Sequence, residues 1–154
     1  MGRKIIGLTG AFGSGVSFLA EHFFKNKGYE CCSLSKFLRE KYKEKHGEDA
    51  PNRKALQEFG NRLREDYPSI LAKEVDKIIA KDSQSNFVIE SIRNPAEINY
   101  FRENHTEFIL IGIFAEYDVR WGRVRETYNG SKDLFDADER KDQGKTEPKY
   151  GQKI

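Results

Sequence analysis

The chain has 154 residues, of which 37% are hydrophobic and 34% charged, and its formal net charge at pH 7 is +2. A chain of this length forms one domain with a substantial core, and its longest apolar runs have the length of strands rather than of membrane spans. Because acidic residues nearly balance the basic ones, we expect no nucleic-acid partner and, with no signal-peptide pattern at the amino terminus, a cytoplasmic protein.

The apolar pattern predicts strands that alternate with helices. A first strand from about Lys4 to Thr9 precedes a helix from about Gly15 to Lys27. The apolar face of that helix is predicted to comprise Phe18, Leu19, His22 and Phe23. Further along the chain we predict a strand from Tyr29 to Leu34, followed by a helix that is capped by Ser35 and runs toward Lys45. Two more helices follow, from about Pro51 through Leu63 and from Pro68 to Ile79. The remaining predicted elements are a strand at Phe87–Ile89, a helix from Glu97 to Glu103, a strand at Phe108–Phe114 and a helix from Tyr117 to Thr127. This alternation implies an α/β protein with three layers, in which helices cover both faces of a parallel sheet.

A glycine-rich stretch from Gly10 to Ser17 lies between the first strand and the first helix. It fits the phosphate-binding pattern G-x-x-x-x-G-K-[ST] at every defined position except one, because Val16 stands where the pattern has lysine. Glycines let successive backbone N–H groups surround phosphate oxygens, and the helix that follows presents its positive end to the same anion. We therefore predict a nucleoside triphosphate site, for ATP or a deoxynucleoside triphosphate, formed by Gly10, Ala11, Phe12, Gly13, Ser14, Gly15, Val16 and Ser17.

The missing lysine affects phosphoryl transfer more than binding. A lysine at this position holds the charge of the outer phosphates during transfer, whereas backbone amides suffice to bind them. Ser17 keeps the hydroxyl that normally contacts Mg²⁺, and Glu90 follows a predicted buried strand, where an acidic side chain holds the metal through water. Ser17 and Glu90 are therefore the predicted magnesium site, although a role of Glu90 as a helix-cap partner or in an ion pair with Arg93 is an open alternative.

Five segments of the chain resemble the nucleoside monophosphate kinase and dephospho-coenzyme A kinase branch of P-loop proteins. These segments are IIGLTGAFGSGVS, SLSKFLRE, PNRKALQEFGNRLRE, FVIESIRNPAEINYFR and FILIGIFAEYDVRWGRVRE. More narrowly, LQEFGNRLRE and ESIRNPAE resemble the kinase-like domains that precede a deaminase domain in deoxycytidylate deaminase-type proteins, as do Asp138-Glu139-Arg140 and Gly151-Gln152. The narrower resemblance implies a deaminase-like domain or subunit as a partner.

The resemblance also implies roles for several polar residues. In similar kinases the second strand ends near an aspartate that orients the acceptor hydroxyl, but here the neighbourhood is Ser33-Leu34-Ser35, and a serine does not accept a proton near neutral pH without help. The implied substrate-binding residues are Ser35, Arg39, Asn61 and Arg64. The implied catalytic residues, which would hold phosphate oxygens, are Arg93, Arg120 and Arg123. Each of these side chains has solvated surface or packing roles as an alternative.

We interpret residues 1–130 as the nucleotide-binding domain and residues 131–154 as a polar tail, or the start of a linker, that adds little to the core. The leading hypothesis is a domain that senses a nucleotide or deoxynucleotide with weak or no phosphoryl transfer. One alternative is an active small-molecule kinase that phosphorylates a nucleoside monophosphate or dephospho-coenzyme A, with an arginine or Lys36 in place of the lost lysine. Another is a structural oligomerisation domain, and homo-oligomerisation stays open in every case.

Overall fold

The computed structural model describes residues 3–145. Its strands are β1 (Ile5–Thr9), β2 (Tyr29–Ser33), β3 (Asn86–Glu90) and β4 (Phe108–Gly112). They form one sheet in the order β2-β3-β1-β4, and all of the pairings are parallel. Ile6 of β1 lies opposite Val88 on one side and Ile109 on the other. The α/β class with a parallel sheet is confirmed.

Helices connect the strands and continue after β4. Within the described residues they are α1 (Val16–Leu19), α2 (Leu34–His46), α3 (Arg53–Asp66), α4 (Ile70–Ile79), α5 (Pro95–Asn104), α6 (Tyr117–Val124) and α7 (Lys132–Asp142). A π-helical turn (Ala20–Phe24) and a 3₁₀ turn (Lys25–Lys27) extend α1, and a 3₁₀ turn (Arg125–Tyr128) follows α6. None of the helices in residues 3–145 combines the length and apolar character needed to cross a bilayer.

Each face of the sheet carries its own apolar cluster, because successive residues of a strand point to opposite faces. Ile5 packs with buried residues of α2, α3, α4 and α5, among them Leu38 and Val75. Ile6 and Leu8 pack on the other face with residues of the π-helical turn. Helices therefore cover both faces of the sheet, as the three-layer prediction requires.

The helical segment after the loop buries a different face from the predicted one. Ala20 and Phe24 are 1% and 7% exposed, whereas Phe18 and Phe23 are 67% and 50% exposed. A π-helical turn holds more residues than an α-helical turn and so rotates the side chains that follow it. The prediction that Phe18 and Phe23 form the apolar face is therefore wrong. The π-helical turn accounts for Phe23, which lies within it, whereas Phe18 precedes the turn and is exposed on α1.

The start of α2 also differs from the prediction. Ser33, not Ser35, caps this helix, and its hydroxyl accepts a hydrogen bond from the Lys36 amide at 3.2 Å. Leu34, the first helical residue, is 1% exposed, so the chain turns directly from the sheet into the helix. The shift leaves the Ser35 side chain without a capping role.

Helix α7 contributes to the core, contrary to our expectation of a polar tail. Phe135 is 0% exposed and packs against the rings of Tyr117, Trp121 and Tyr128. The prediction that residues 131–154 add little to the core is therefore wrong for this helix. The boundary between residues 130 and 131 stays a prediction, and the Gly151-Gln152 pair lies outside the described residues.

Gly7 in β1 is a close-approach point that generates a stability prediction. A Cβ atom at Gly7 would lie 2.5 Å from Phe108 Cζ and 2.7 Å from Ile92 Cδ1, and Ile92 is fully buried. Because both neighbours must move, we expect Gly7→Ala to lower the free energy of unfolding by about 1–3 kcal/mol. Chemical denaturation at equilibrium measures this change.

Gly112→Ala is the matched control in the neighbouring strand β4. A Cβ atom there meets nothing within 4 Å, and we expect a change of less than about 0.5 kcal/mol. Equal losses in the two variants would contradict the close packing described at Gly7.

Candidate functional site

The loop from Gly10 to Ser17 has the backbone that a phosphate-binding turn requires. Gly13 and Gly15 have φ values of 84° and 103°, in the left-handed region that favours glycine. A Cβ atom at Gly10 would lie 2.5 Å from the Ile113 carbonyl oxygen, so contact excludes a side chain there. The amides of Gly13 and Gly15 have no protein acceptor within the described residues, which leaves them available to an anion.

Ser17 and Glu90, the two residues of the predicted magnesium site, meet at the end of this loop, and their role as metal ligands stays a prediction. The Ser17 hydroxyl donates a hydrogen bond to Glu90 Oε2 at 2.5 Å, although the residues are far apart in the sequence. The alternative ion pair between Glu90 and Arg93 is not formed, because Arg93 pairs with Asp142. Ser91 directly follows with φ of 63°, an uncommon backbone conformation for serine that is typical of functional sites.

Within residues 3–145, no group of three or more His, Cys, Asp or Glu side chains could hold a metal ion. Mg²⁺ prefers oxygen ligands, keeps several waters and uses few protein carboxylates together with substrate phosphates. The Ser17 hydroxyl and the Glu90 carboxylate fit that mode of binding, whereas they do not form a complete protein cage.

Arg123 brings a positive charge to the loop that lacks its lysine. Its Nη1 donates hydrogen bonds to the carbonyl oxygens of Gly13 at 2.9 Å and Ser14 at 3.2 Å. Val16, at the lysine position, packs instead against the apolar cluster of the sheet. Lys36 is exposed on α2. Arg123 therefore contacts the loop, and the replacement of the lysine by an arginine or by Lys36 stays a prediction.

Arg120 lies next to the loop, but protein groups engage its guanidinium. It forms two 2.7 Å hydrogen bonds with the Glu139 carboxylate and donates to the carbonyl oxygens of Ala115 and Phe12. The hydrogen bonds to Glu139 raise the pKa of Arg120, whereas burial opposes this shift. A phosphate would have to compete with these contacts, so the catalytic role of Arg120 stays a prediction.

A cavity of 410 Å³ brings together three of the four predicted substrate-binding residues and Arg93, which was predicted as catalytic. Ser35, Arg39, Arg64 and Arg93 line it, from α2, α3 and the segment after β3. Its size is that of a small-molecule site. Asn61, which was also predicted, lies on α3 outside the cavity wall.

Phe12 forms the part of this wall that adjoins the phosphate loop. The Arg53 guanidinium lies 4.5 Å from the centre of the Phe12 ring, in a cation–π arrangement, and Tyr128 meets the same ring edge-on. The loop and the cavity are therefore contiguous through one side chain.

Four polar residues of this region were not predicted as site residues from the sequence: Arg53, Gln57, Glu139 and Asp142. Asp142 Oδ2 accepts hydrogen bonds from Arg53 Nη2 at 2.6 Å and Arg93 Nη1 at 3.1 Å, and Oδ1 accepts one from Gln57 Nε2 at 3.3 Å. Two signals point to them. Arg53 is the first residue of α3, where the helix dipole disfavours a cation, and Glu139 and Asp142 share a helical face with Phe135.

The chain is 33% identical over 131 residues to a UPF0200 protein of Methanothermobacter thermautotrophicus, an alignment that covers 82% of this chain and 63% of that protein. This chain thus spans less than two thirds of its relative's length. No known family model matches the chain.

Several solved structures are similar to this one. An uncharacterized protein from Eubacterium ventriosum has a TM-score of 0.56 at 17% identity, over 93% of this chain and 73% of that chain. TT1252 from Thermus thermophilus has a TM-score of 0.56 at 19% identity, over 97% of this chain and 83% of that chain. Shikimate kinase from Acinetobacter baumannii, solved in complex with shikimate, has a TM-score of 0.51 at 12% identity, over 82% of this chain and 65% of that chain. The chain has a P-loop kinase-like fold.

Arg64, on the cavity wall of this P-loop kinase-like fold, is held by a buried ion pair. Its Nε and Nη2 donate to Glu97 Oε1 at 2.9 and 2.7 Å, and both residues are almost fully buried. Glu97 Oε2 in turn accepts the backbone amides of Arg93 and Asn94. One carboxylate therefore fixes a cavity arginine and the chain segment after β3.

We expect Glu97→Ala to lower the free energy of unfolding by about 3–5 kcal/mol, because it leaves the Arg64 charge buried without its partner. Thermal and chemical denaturation measure this loss. Glu58→Ala is the matched control on α3, where Glu58 and Lys54 form an exposed pair, and it should cost less than about 1 kcal/mol. A small loss in Glu97→Ala would show that Arg64 finds another acceptor.

Proposed function

We propose that this chain binds a nucleoside triphosphate, ATP or a deoxynucleotide, together with Mg²⁺, and senses it with weak or no phosphoryl transfer. The observation that carries the proposal is the hydrogen bond between the Ser17 hydroxyl and Glu90 Oε2, directly after a loop with two left-handed glycines. A serine and an acidic residue brought together at the end of a phosphate-binding loop suit a metal–phosphate complex.

The loop residues would bind the phosphates through their backbone. Gly13 and Gly15 supply amides that have no acceptor in the described part of the chain, and α1 begins directly after Gly15. Helix N-termini attract anions because unpaired N–H groups and the helix dipole act together. Bound Mg²⁺ would supply positive charge to the phosphate oxygens, with Ser17 and Glu90 orienting it directly or through water.

We expect weak phosphoryl transfer because two positions of the chain lack the charged side chains that assist transfer in similar kinases. Val16 carries no charge for the outer phosphates, and no carboxylate stands at Ser33 or Ser35 to accept the proton of an acceptor hydroxyl. Ser35 lines the cavity and could orient a hydroxyl, but the Ser33 hydroxyl is used to cap α2. The cavity arginines Arg39, Arg64 and Arg93 would then bind a phosphate-bearing small molecule rather than activate it.

A sensor transmits its state to another protein, and the narrower resemblance suggests which one. We propose a deaminase-like domain or subunit as that partner, on the residues LQEFGNRLRE and ESIRNPAE quoted above. The first segment lies on α3 and the second runs from the end of β3 into α5, and they include the cavity arginines Arg64 and Arg93. Homo-oligomerisation and a cytoplasmic location stay predictions.

The proposal predicts selective stabilisation by nucleotides. A ligand that binds only the folded state raises the midpoint of thermal unfolding, by an amount equivalent to about 2.7 kcal/mol at one hundred times its dissociation constant. We expect such a shift with one triphosphate of a ribo- and deoxynucleotide panel in Mg²⁺, a smaller shift in EDTA, and none in Gly15→Asp. Differential scanning fluorimetry, followed by calorimetric titration, makes the measurement.

Gly28→Asp is the control for Gly15→Asp. Gly28 also has a positive φ, of 79°, but it ends the 3₁₀ turn and a Cβ there meets nothing within 4 Å. It should show the same backbone strain and keep the nucleotide shift. Absence of any shift in the unmodified chain would overturn the proposal, and a shift that persists in Gly15→Asp would place the nucleotide elsewhere.

An active kinase is the second candidate, and the position of Arg123 favours it. The Arg123 guanidinium lies on the carbonyl oxygens of Gly13 and Ser14, next to the residue where the lysine is missing. In that reaction the γ-phosphoryl group leaves ADP and bonds to an oxygen of the acceptor, whose proton passes to solvent. Arg123 would stabilise the charge on the transferred group.

The kinase candidate predicts acceptor-dependent formation of ADP. In that case Arg123→Ala should lower the turnover number by about 10³-fold, the lower range for an arginine of this kind, whereas Arg125→Ala should leave it unchanged. Val16→Lys should raise the turnover number. Coupled detection of ADP with nucleoside monophosphates or dephospho-coenzyme A as acceptors separates the two candidates, since a sensor binds nucleotide without turnover.

A further inference from the structure

The carboxylate of Asp142 lies between Arg53 and Arg93, two arginines that line the cavity. Its carboxylate is 2% exposed and accepts hydrogen bonds from Arg53 at 2.6 Å and Arg93 at 3.1 Å. Burial and the neighbouring Arg53 lower the pKa of the Arg93 guanidinium, whereas Asp142 raises it. The two cations therefore need a shared anion in order to lie side by side away from water.

The same cavity contains three buried polar atoms that have no hydrogen-bond partner within residues 3–145. They are Arg53 Nη1, Arg64 Nη1 and Gln57 Oε1. Arg64 and Gln57 are 1% and 4% exposed, so bulk water does not satisfy these groups. Buried donors without acceptors are costly in a folded protein and indicate a site for a ligand. Two of the three are guanidinium donors, which fit the oxygens of a phosphate.

Helix α7 supplies a second carboxylate that pairs with an arginine. Glu139, one helical turn before Asp142, forms the two 2.7 Å hydrogen bonds with Arg120 beside the phosphate loop. Arg53, Arg93 and Arg120 thus each pair with an acidic side chain of this one helix. Phe135 attaches this helix to the protein through aromatic contacts with α6 and the turn after it.

We propose that α7 is an acidic clasp, in which Asp142 competes with the phosphate of a phosphomonoester ligand for Arg53 and Arg93. A dianionic phosphate in the cavity repels the Asp142 carboxylate and offers more oxygens to the same guanidinium groups. Binding then displaces Asp142 and loosens α7. The inference rests on the proposed function for its ligand class, since a nucleoside monophosphate is the phosphomonoester that suits a nucleotide-binding domain.

The affinity of the cavity for phosphate, measured in Asp142→Asn, tests the clasp. This substitution removes the competing charge and keeps the shape of the side chain, so we expect inorganic phosphate and a panel of nucleoside monophosphates to bind at least about tenfold more tightly, equivalent to about 1.4 kcal/mol. Asp133→Asn is the matched control, because Asp133 is exposed on the same helix and its loss changes the net charge equally. Isothermal titration calorimetry gives the affinities.

Unchanged or weaker phosphate binding in Asp142→Asn would overturn the proposal and make Asp142 a positioning residue for the arginines. An equal gain in Asp133→Asn would also overturn it, because net charge alone would then explain the effect. Triphosphate binding at the loop is measured separately by the Gly15→Asp comparison. Stabilisation by triphosphates without any phosphomonoester effect therefore refutes the clasp alone, and the reverse result refutes only the proposed function.

A fluorescence measurement on the unmodified chain keeps the test independent of how well Asp142→Asn folds. Trp121 is the only tryptophan of the chain, and its ring centre lies 5.4 Å from that of Phe135 on α7. We expect its emission to change in a saturable way as phosphate or the best nucleoside monophosphate is added, and hydrogen exchange of the α7 amides to increase. Emission and exchange that stay constant at saturation would overturn the proposal.

Discussion

The carboxylate of Glu97 is the constraint on which the arrangement around the cavity depends. It is fully buried, and in that position it receives two N–H groups of Arg64 and the backbone amides of Arg93 and Asn94. A buried charge of this kind is tolerated only when every lone pair finds a donor. Glu97 thus fixes the distance between α3 and the chain that leaves β3, and with it the separation of Arg64 and Arg93, two of the arginines that line the cavity.

The candidate site is assembled from pieces that are distant in the sequence. The phosphate loop follows β1, Glu90 ends β3, Arg53 begins α3, and Asp142 ends α7. Parallel strands make this possible because their carboxyl ends meet at one edge of the sheet. The apolar clusters on the two faces hold the strands in place, whereas ion pairs hold the arginines. Apolar packing therefore positions the sheet, ion pairs position the arginines, and the cavity lies between these two regions.

Periodic patterns were sufficient to predict the strands, the parallel sheet and most of the helices, because apolar residues dominate those elements. The contact of Ser17 with Glu90 was also predictable, since the fold brings the ends of β1 and β3 together. The missed features depend on charged groups that become buried only through their partners. Helix α7 contains one large buried apolar residue, Phe135, and two buried acids, so its hydrophobic pattern is weak although its packing is not. Pairing of Asp142 with Arg53 and Arg93 depends on tertiary structure that no local pattern encodes.

The π-helical turn at Ala20–Phe24 lets the two ends of one helical segment direct their side chains independently. The first turn must direct the Ser17 hydroxyl toward Glu90, and the last must direct the Phe24 ring into the cluster beneath β2. In a regular helix, residues seven positions apart share one side, so the packing of Phe24 would determine the direction of Ser17. The wider turn adds a rotation between them. The direction of the Ser17 side chain is therefore independent of how Phe24 packs in the core. Substitutions at the loop end of the segment need not be compensated at its far end.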